Sequence, residues 1–183
     1  MLYTPVLIDV AGDGFQLTNA ANGVVFNLTP DLPIRLAWTV PNSDDAWLSL
    51  DRDRNGTIDS GQELFGNTTP QPPRADQNGF LALAEFDIPE NGGNADSVID
   101  QSDAIFNSLR VWQDTNHNGK SEPSELHSLP DVGITILELK YHESKRTDEF
   151  GNKFRYRAKV KNVNGVKIGR WAWDVFLKMA APE

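Results

Sequence analysis

The chain of 183 residues contains no cysteine, only two methionines and few basic residues. The absence of cysteine excludes disulfide bonds, thiolate metal sites and cysteine nucleophiles. Seventeen Lys and Arg residues against 26 Asp and Glu residues give a net charge of −9. Nucleic acids and anionic membranes attract basic surfaces, so we expect neither as a partner.

Long apolar runs are also missing from the sequence. None approaches the roughly 20 residues of a membrane-spanning helix, so no membrane span is expected. Residues 1–9 lack a basic segment and have the pattern of a strand, and we therefore expect no signal peptide in this chain.

Acidic residues are abundant, and many of them lie in two similar loops: the first loop, residues 51–63, and the second loop, residues 114–125. Oxygen-bearing side chains alternate along both, and Gly56 or Gly119 stands at the sixth position, where a sharp turn favours a residue without a Cβ. A twelve-residue calcium loop supplies oxygen ligands from positions 1, 3, 5, 7, 9 and 12. The two loops therefore predict calcium binding, and a turn rich in Asp and Asn without an ion is the alternative.

The spacing assigns a set of ligands to each loop. In the first loop position 12 is Gln62, but Gly61 could let the backbone bulge, and we expect Glu63 to be the ligand. In the second loop Ser121 occupies position 8, which is usually apolar and pairs with a neighbouring loop. The predicted ligands are Asp51, Asp53, Asn55, the Thr57 carbonyl, Asp59 and Glu63 in the first loop, and Asp114, Asn116, Asn118, the Lys120 carbonyl, Glu122 and Glu125 in the second.

Two further acidic segments follow this pattern less closely. In residues 94–103 position 1 falls on Gly92, which has no side-chain oxygen, unless residues are inserted after Asp87. Helix capping by Asp100 and Ser102 explains the same residues without a metal. Near the N-terminus a Gly-Asp-Gly hairpin turn is the alternative to an ion. The candidate ligands in these segments are Asn94, Asp96, the Val98 carbonyl, Asp100, Asp103, Asp9 and Asp13.

The hydrophobic pattern predicts an α+β fold in one domain covering residues 1–183. We predict helices at residues 80–86 and 102–112, the second because Ile105, Leu109 and Trp112 share one helical face. Strands are predicted at residues 6–10, 23–28, 34–40, 47–50, 134–141, 154–163 and 166–176. The order is a β segment (1–50), a central helical core with the calcium loops (51–128) and an antiparallel β-meander (129–183).

Several of these segments together resemble a known group, the EF-hand-like calcium-binding modules of large secreted bacterial proteins associated with RTX and Rhs repeats. The matching residues are 5–14, 50–66, 78–83, 98–100, 109–119, 125–126, 150–157 and 170–176. The resemblance implies calcium binding in an exported protein, secreted or at the cell surface. It does not by itself imply an enzymatic activity.

The function expected from the sequence is a non-catalytic module that is stabilised by two calcium ions, with a third as a further candidate. Bound ions would neutralise clustered carboxylates and hold together helices that are too short to be stable alone. No Ser-His pairing or phosphate-binding loop is evident, so we do not expect an enzyme.

The alternative is an adhesion or carbohydrate-binding module ordered by calcium, with Trp171 and Trp173 on one face of a strand, although same-face aromatics also form cores. The expected partners are calcium ions and either the remainder of a larger exported protein or a cell-surface ligand.

Overall fold

The computed structural model describes residues 3–29, 32–162 and 167–181, and over these ranges the chain consists mainly of β-strands. The strands are β1 (Val6–Ile8), β2 (Val24–Phe26), β3 (Ile34–Leu36), β4 (Ala46–Ser49), β5 (Val98–Ile99), β6 (Arg110–Trp112), β7 (Leu126–Ser128), β8 (Ile136–Glu138), β9 (His142–Thr147), β10 (Lys153–Lys161) and β11 (Lys167–Phe176). Within this part of the chain there is one α-helix, α1 (Gly79–Ala84), with 3₁₀ turns at Pro89–Asn91, Phe106–Ser108, Pro123–Glu125 and Pro130–Val132.

Nine of the described strands form one curled antiparallel sheet. Its order is β5-β8-β10-β11-β1-β4-β6-β7, and β9 pairs with β10. Strands β2 and β3 form a separate hairpin. Leu7 in β1 pairs with Trp173 in β11 on one side and Trp47 in β4 on the other. The first and last strands therefore lie side by side in the middle of the sheet.

Both faces of the sheet are buried along β1, whose three residues are all apolar and buried. Along β1, Val6 and Ile8 face a core that includes Phe80 of α1, whereas Leu7 faces the opposite core. The second core contains four tryptophans, Trp38, Trp47, Trp112 and Trp173. The ring centroids of Trp38 and Trp47 are 4.5 Å apart, and those of Trp38 and Trp112 are 5.4 Å apart. The hairpin of β2 and β3 contributes to this second core.

The prediction of an α+β fold with a central helical core is wrong, because the described residues are mostly β with one short helix. Residues 102–112, predicted as a helix, contain a 3₁₀ turn followed by β6. Val111 and Trp112 are fully buried on opposite faces of the sheet. A strand buried on both faces has an apolar run that also fits a helical spacing, so periodicity alone did not separate the two.

The remaining secondary structure lies close to the predicted segments. Helix α1 overlaps residues 80–86, and Asn78 caps it by accepting hydrogen bonds from the amides of Phe80 and Leu81. Strands β1 to β4, β8, β10 and β11 each overlap a predicted strand, although Val163 and Val166 lie outside the described residues. Strands β5, β6, β7 and β9 were not predicted.

The sheet holds the first and second loops between antiparallel segments. The second loop connects β6 to β7, in which Trp112 pairs with Leu126. The first loop leaves β4 and returns at Leu64, which forms a bridge with Ser49. Each of these loops is therefore closed by a β pair.

Candidate functional site

The first and second loops close in the same way. The amide of Leu50 donates to the carbonyl of Glu63 at 2.8 Å, and the amide of Gln113 donates to the carbonyl of Glu125 at 3.0 Å. Each pair joins the residue before the first Asp to the last Glu of the loop. Glu63 and Glu125 therefore hold equivalent positions, although the first loop is one residue longer.

In the first loop Asp51 organises the turn. Its two carboxylate oxygens accept hydrogen bonds from the amides of Asn55 at 3.1 Å and Gly56 at 2.9 Å. Arg54 and Gly56 have φ angles of 61° and 86°. This left-handed backbone at positions 4 and 6 turns the amides of positions 5 and 6 towards the carboxylate.

Three carboxylates converge in the first loop, because ligand oxygens of Asp51, Asp53 and Glu63 lie within 4.8 Å of one another. The Glu63 carboxylate accepts from the amides of Arg52 at 3.3 Å and Asp59 at 2.9 Å. Burial raises the pKa of Glu63 above its ordinary value, and the nearby negative charges of Asp59 and Asp53 raise it further. The loop thus concentrates negative charge around a half-buried position.

Gln62, which sits at position 12 by sequence count, points away from this cluster. Its side-chain amide donates to the carbonyl of Thr68 at 3.3 Å, and the residue is exposed. The structure therefore brings Glu63 to the loop, and not Gln62. Among the other predicted ligands, the Asn55 side chain donates to Asp53 and Asp59, and the Thr57 hydroxyl donates to Asn55.

The second loop repeats the arrangement around Asp114. Its carboxylate accepts from the amides of Asn118 at 3.0 Å and Gly119 at 2.8 Å, and His117 and Gly119 have φ angles of 57° and 71°. The side chain of Asn118 donates to Glu122 at 2.7 Å. This hydrogen bond lowers the pKa of Glu122.

Glu125 connects the second loop to the core of the sheet. One carboxylate oxygen accepts from the amide and hydroxyl of Thr115 at 2.9 and 3.0 Å, and the other accepts from the indole of Trp112 at 3.3 Å. The side-chain oxygen of Asn116 accepts from Asn118, and the carbonyl of Lys120 accepts from Glu122. All six predicted ligand residues of the second loop thus lie around one short turn.

The two loops meet at their eighth positions. The Ser121 hydroxyl accepts from the amide of Ile58 at 2.6 Å and donates to the Ile58 carbonyl at 3.2 Å. Both residues are buried. Position 8 is usually apolar and pairs with a neighbouring loop. Here the hydroxyl of Ser121 joins the two loops at this position.

Residues 87–103, here named the third loop, share the same backbone geometry. The carboxylate of Asp87 accepts from the amides of Asp96 at 3.1 Å and Ser97 at 2.9 Å. Ala95 and Ser97 have φ angles of 59° and 70°. Asp87 therefore occupies position 1 as Asp51 and Asp114 do. This is the arrangement with residues inserted after Asp87, and not the one with Gly92 at position 1.

The remaining candidates of the third loop include Asp103, which is 2% exposed. One of its carboxylate oxygens accepts from the amide of Asp100 at 2.8 Å. Burial raises the pKa of Asp103, and the charges of Asp87, Asp100 and Asp96 add to the effect. The side chain of Asn94 donates to Asp96 at 2.8 Å, and the amide of Val98 donates to Asp96 at 3.1 Å.

Sequence reasoning allowed for an insertion after Asp87 but did not include Asp87 among the ligands. Six residues separate it from Asn94, where the other loops have one residue between positions 1 and 3. The inserted residues form the 3₁₀ turn Pro89–Asn91 and close on themselves, since the Ile88 carbonyl accepts from Gly93 at 3.1 Å. An acid directly before a compact Pro-Gly insertion is the signal that would have located it.

At the N-terminus, Asp9 is buried and Asp13 is exposed. The carboxylate of Asp9 accepts from the amides of Asp13 at 3.1 Å and Gly14 at 2.9 Å. The two side chains predicted as ligands thus differ in environment, and Asp9 is the one directed into the protein.

Residues 6–177 match the family model of the SPM domain. The chain belongs to the SPM domain family. It is also similar to the iron-regulated protein FrpA of Neisseria meningitidis serogroup C, with 36% identity over 167 residues. The match covers 90% of this chain and 14% of FrpA, so this SPM domain corresponds to a small part of that relative's length.

Membership of the SPM domain family corrects the predicted resemblance to EF-hand-like modules of RTX- and Rhs-associated proteins, which is wrong. An EF-hand places its loop between two helices. In this SPM domain β pairs close the first and second loops, and α1 is the one α-helix of the described residues. The acidic spacing within the loops led to the resemblance, while the flanking segments do not fit it.

Two other features bear on the expected partners of the SPM domain. No helix in the described ranges is long and apolar enough to cross a membrane. Trp173 is only 4% exposed, and the Arg146 and Arg157 guanidinium carbons lie 5.6 and 5.3 Å from the centre of its ring. Trp171 and Trp173 therefore do not form a pair of exposed rings.

Proposed function

We propose that this SPM domain binds calcium ions at the first, second and third loops, and that the ions stabilise its fold. The supporting observation is the repetition of one geometry. In each loop an Asp at position 1 accepts from the amides of positions 5 and 6, and positions 4 and 6 have positive φ. This geometry directs the carbonyl and carboxylate oxygens of a loop towards its centre.

The chemistry of the side chains favours calcium over softer metals. The candidate ligands are carboxylates, amide oxygens and backbone carbonyls, which suit hard cations. Zinc and copper sites usually contain Cys or His, and the chain has no cysteine. Loops with five or more oxygen donors also suit calcium better than magnesium, which keeps several of its waters.

The electrostatics of the loops support the same proposal. Among the residues that the structure describes, the one ion pair joins Lys161 to Glu138 at 2.7 Å, away from the loops. Among the described residues no Lys or Arg lies within ion-pair distance of the clustered loop carboxylates, although the charge of Arg52 interacts with Glu63. The carboxylates therefore repel one another. A bound divalent cation would remove this repulsion, so binding and stability are coupled.

Extracellular calcium modules bind with Kd values of about 10⁻⁴ to 10⁻³ M. We propose that the sites of this domain fall in this range and fill in a calcium-rich exterior. The remainder of a larger exported protein is then the natural neighbour of the domain.

The test is calorimetric titration of calcium into metal-stripped protein, with two adjacent variants of the first loop. Glu63→Gln removes a carboxylate next to Asp51 and Asp53 and should weaken one site by roughly tenfold or more, because calcium affinity follows the number of charged ligands. Gln62→Ala changes the exposed neighbour that points away from the loop and should leave every site unchanged.

The two variants also provide the outcome that would contradict the proposal. If the wild type shows no heat of binding at millimolar calcium, functional sites in all three loops are excluded. Equal effects of Glu63→Gln and Gln62→Ala would show that the loop geometry does not determine where calcium binds.

A further inference from the structure

A separate group of carboxylates lies between the end of β1 and the start of β4. Ligand oxygens of Asp9, Asp44 and Asp45 lie within 4.8 Å of one another. Asp9 is 6% exposed and Asp45 is 1% exposed. These acids belong to none of the three loops, and two of them, Asp44 and Asp45, were not predicted as ligands.

One carboxylate oxygen of Asp45 is buried without a hydrogen-bond donor in the described part of the chain. Its Oδ2 accepts from the amide of Gln16 at 3.0 Å and the hydroxyl of Ser43 at 2.9 Å. Its Oδ1 is buried and has no hydrogen-bond partner among the described residues. A buried oxygen of this kind is costly unless a donor or a cation faces it.

Asp9 starts a turn with the same geometry as the three loops. Its carboxylate accepts from the amides of Asp13 and Gly14, and Gly12 and Gly14 have φ angles of 81° and 107°. Counting from Asp9, these are again positions 5 and 6 for the amides and positions 4 and 6 for the positive φ angles. Position 3 is Ala11, whose side chain has no oxygen.

Asp44 lies next to the position where that oxygen is missing. Its Oδ2 accepts from the amide of Ala11 at 2.6 Å, across 33 residues of sequence. The segment before β4 thus brings two carboxylates, from Asp44 and Asp45, to a turn that has lost one of its own. The spacing along the chain cannot show this, because the acids come from separate strands.

We propose that Asp9, Asp44 and Asp45 form a further site for a hard divalent cation, which we take to be calcium. Three carboxylates at this separation repel one another, and two of them are buried. A divalent cation between them would neutralise the cluster and contact the unpartnered Oδ1. Because β1 and β4 are neighbours in the sheet, the ion would link the two segments that extend from it.

This inference rests on the same ligand chemistry as the proposed function, but on different residues, so the two can be tested separately. The experiment is a calcium titration of ¹⁵N-labelled, metal-stripped protein followed by amide NMR. The amides of Gly12 and Gly14 report the new site, and those of Gly56 and Gly119 report the first and second loops. All four should shift and saturate in the wild type.

Asp45→Asn keeps the size of the side chain and removes its charge. In this variant the calcium-dependent shifts of Gly12 and Gly14 should be lost, those of Gly56 and Gly119 should remain, and calorimetry should count one fewer calcium ion. Glu149→Gln removes one charge from an exposed residue outside the cluster and should change none of these. If Asp45→Asn does not fold, Asp44→Asn, at a less buried position, should give the same loss.

If the amide signals of Gly12 and Gly14 do not shift while those of Gly56 and Gly119 do, the new site is excluded and the proposed function is not affected. Persistent shifts of Gly12 and Gly14 in the folded Asp45→Asn variant would also overturn it. If none of the four amides responds to millimolar calcium, the proposed function fails together with this inference.

Discussion

At the scale of single residues, carboxylates hold the turns of the three loops. Asp51, Asp87 and Asp114 each use both oxygens to hold a turn, so their positions are fixed by backbone amides. The sequence predicts Asp51 and Asp114 from local spacing. It allows for an insertion after Asp87 without including Asp87 among the ligands. It does not predict the pair Asp44 and Asp45, because they lie in a segment far from Asp9 in the sequence.

Asp174 is a buried carboxyl with a different role. It is 0% exposed in β11, and its Oδ2 accepts from the amide of Gly79 at 2.6 Å. Burial raises its pKa from 3.8 to about 7. Between pH 3.8 and about pH 7, the folded state therefore keeps a proton on Asp174 that the unfolded state has already released.

This difference predicts a pH dependence of stability. Because the folded protein binds the extra proton, the free energy of unfolding falls as pH rises from about 4 to about 7 and levels off above that. Asp174→Asn cannot ionise, so relative to the wild type it should gain about 2–4 kcal/mol between pH 5 and pH 8. Urea unfolding at both pH values, in saturating calcium, measures the change.

Glu149→Gln, at an exposed position in the turn between β9 and β10, should follow the wild-type pH dependence. An Asp174→Asn variant with the same slope as the wild type would show that this carboxyl does not hold its proton in the fold.

At the scale of elements, the contact between the first and second loops joins two parts of the sheet. Ser121 makes two hydrogen bonds to the backbone of Ile58, which is 1% exposed. Ser121→Ala would leave the Ile58 amide and carbonyl buried without these partners. Unsatisfied buried groups cost about 1–3 kcal/mol, and urea unfolding in calcium should show a loss of stability of that size.

The matched control is Ser124→Ala, an exposed serine of the same loop. It should change the stability by less than about 0.5 kcal/mol. Equal effects of the two substitutions would indicate that the hydroxyl of Ser121 does not join the loops.

Elements also show where sequence patterns were sufficient and where they were not. Alternating apolar residues located most strands, since strands such as β10 bury every second side chain. The segment at 102–112 was assigned to a helix because Ile105, Leu109 and Trp112 have helical spacing, but β6 pairs with β4 and β7 and has a core on each face. Spacing within the segment could not reveal these partners, which lie outside it.

At the scale of the whole molecule, the three loops connect elements of one sheet. The first loop follows β4, the second connects β6 to β7, and the third runs from α1 through β5. These three connections therefore carry negative charge that forms no ion pair with the described Lys and Arg residues. We propose that calcium bound at these connections stabilises the entire fold.

The most direct test is the thermal unfolding of metal-stripped protein in excess chelator and in calcium. At a calcium concentration about 100 times Kd, each site adds about 2.7 kcal/mol, and 1 kcal/mol raises Tm by about 2–4 °C at this size. Two or more sites therefore predict a rise in Tm of roughly 10 °C or more. An unchanged Tm between excess chelator and about 100 mM calcium, which is 100 times a Kd of about 10⁻³ M, would contradict this proposal.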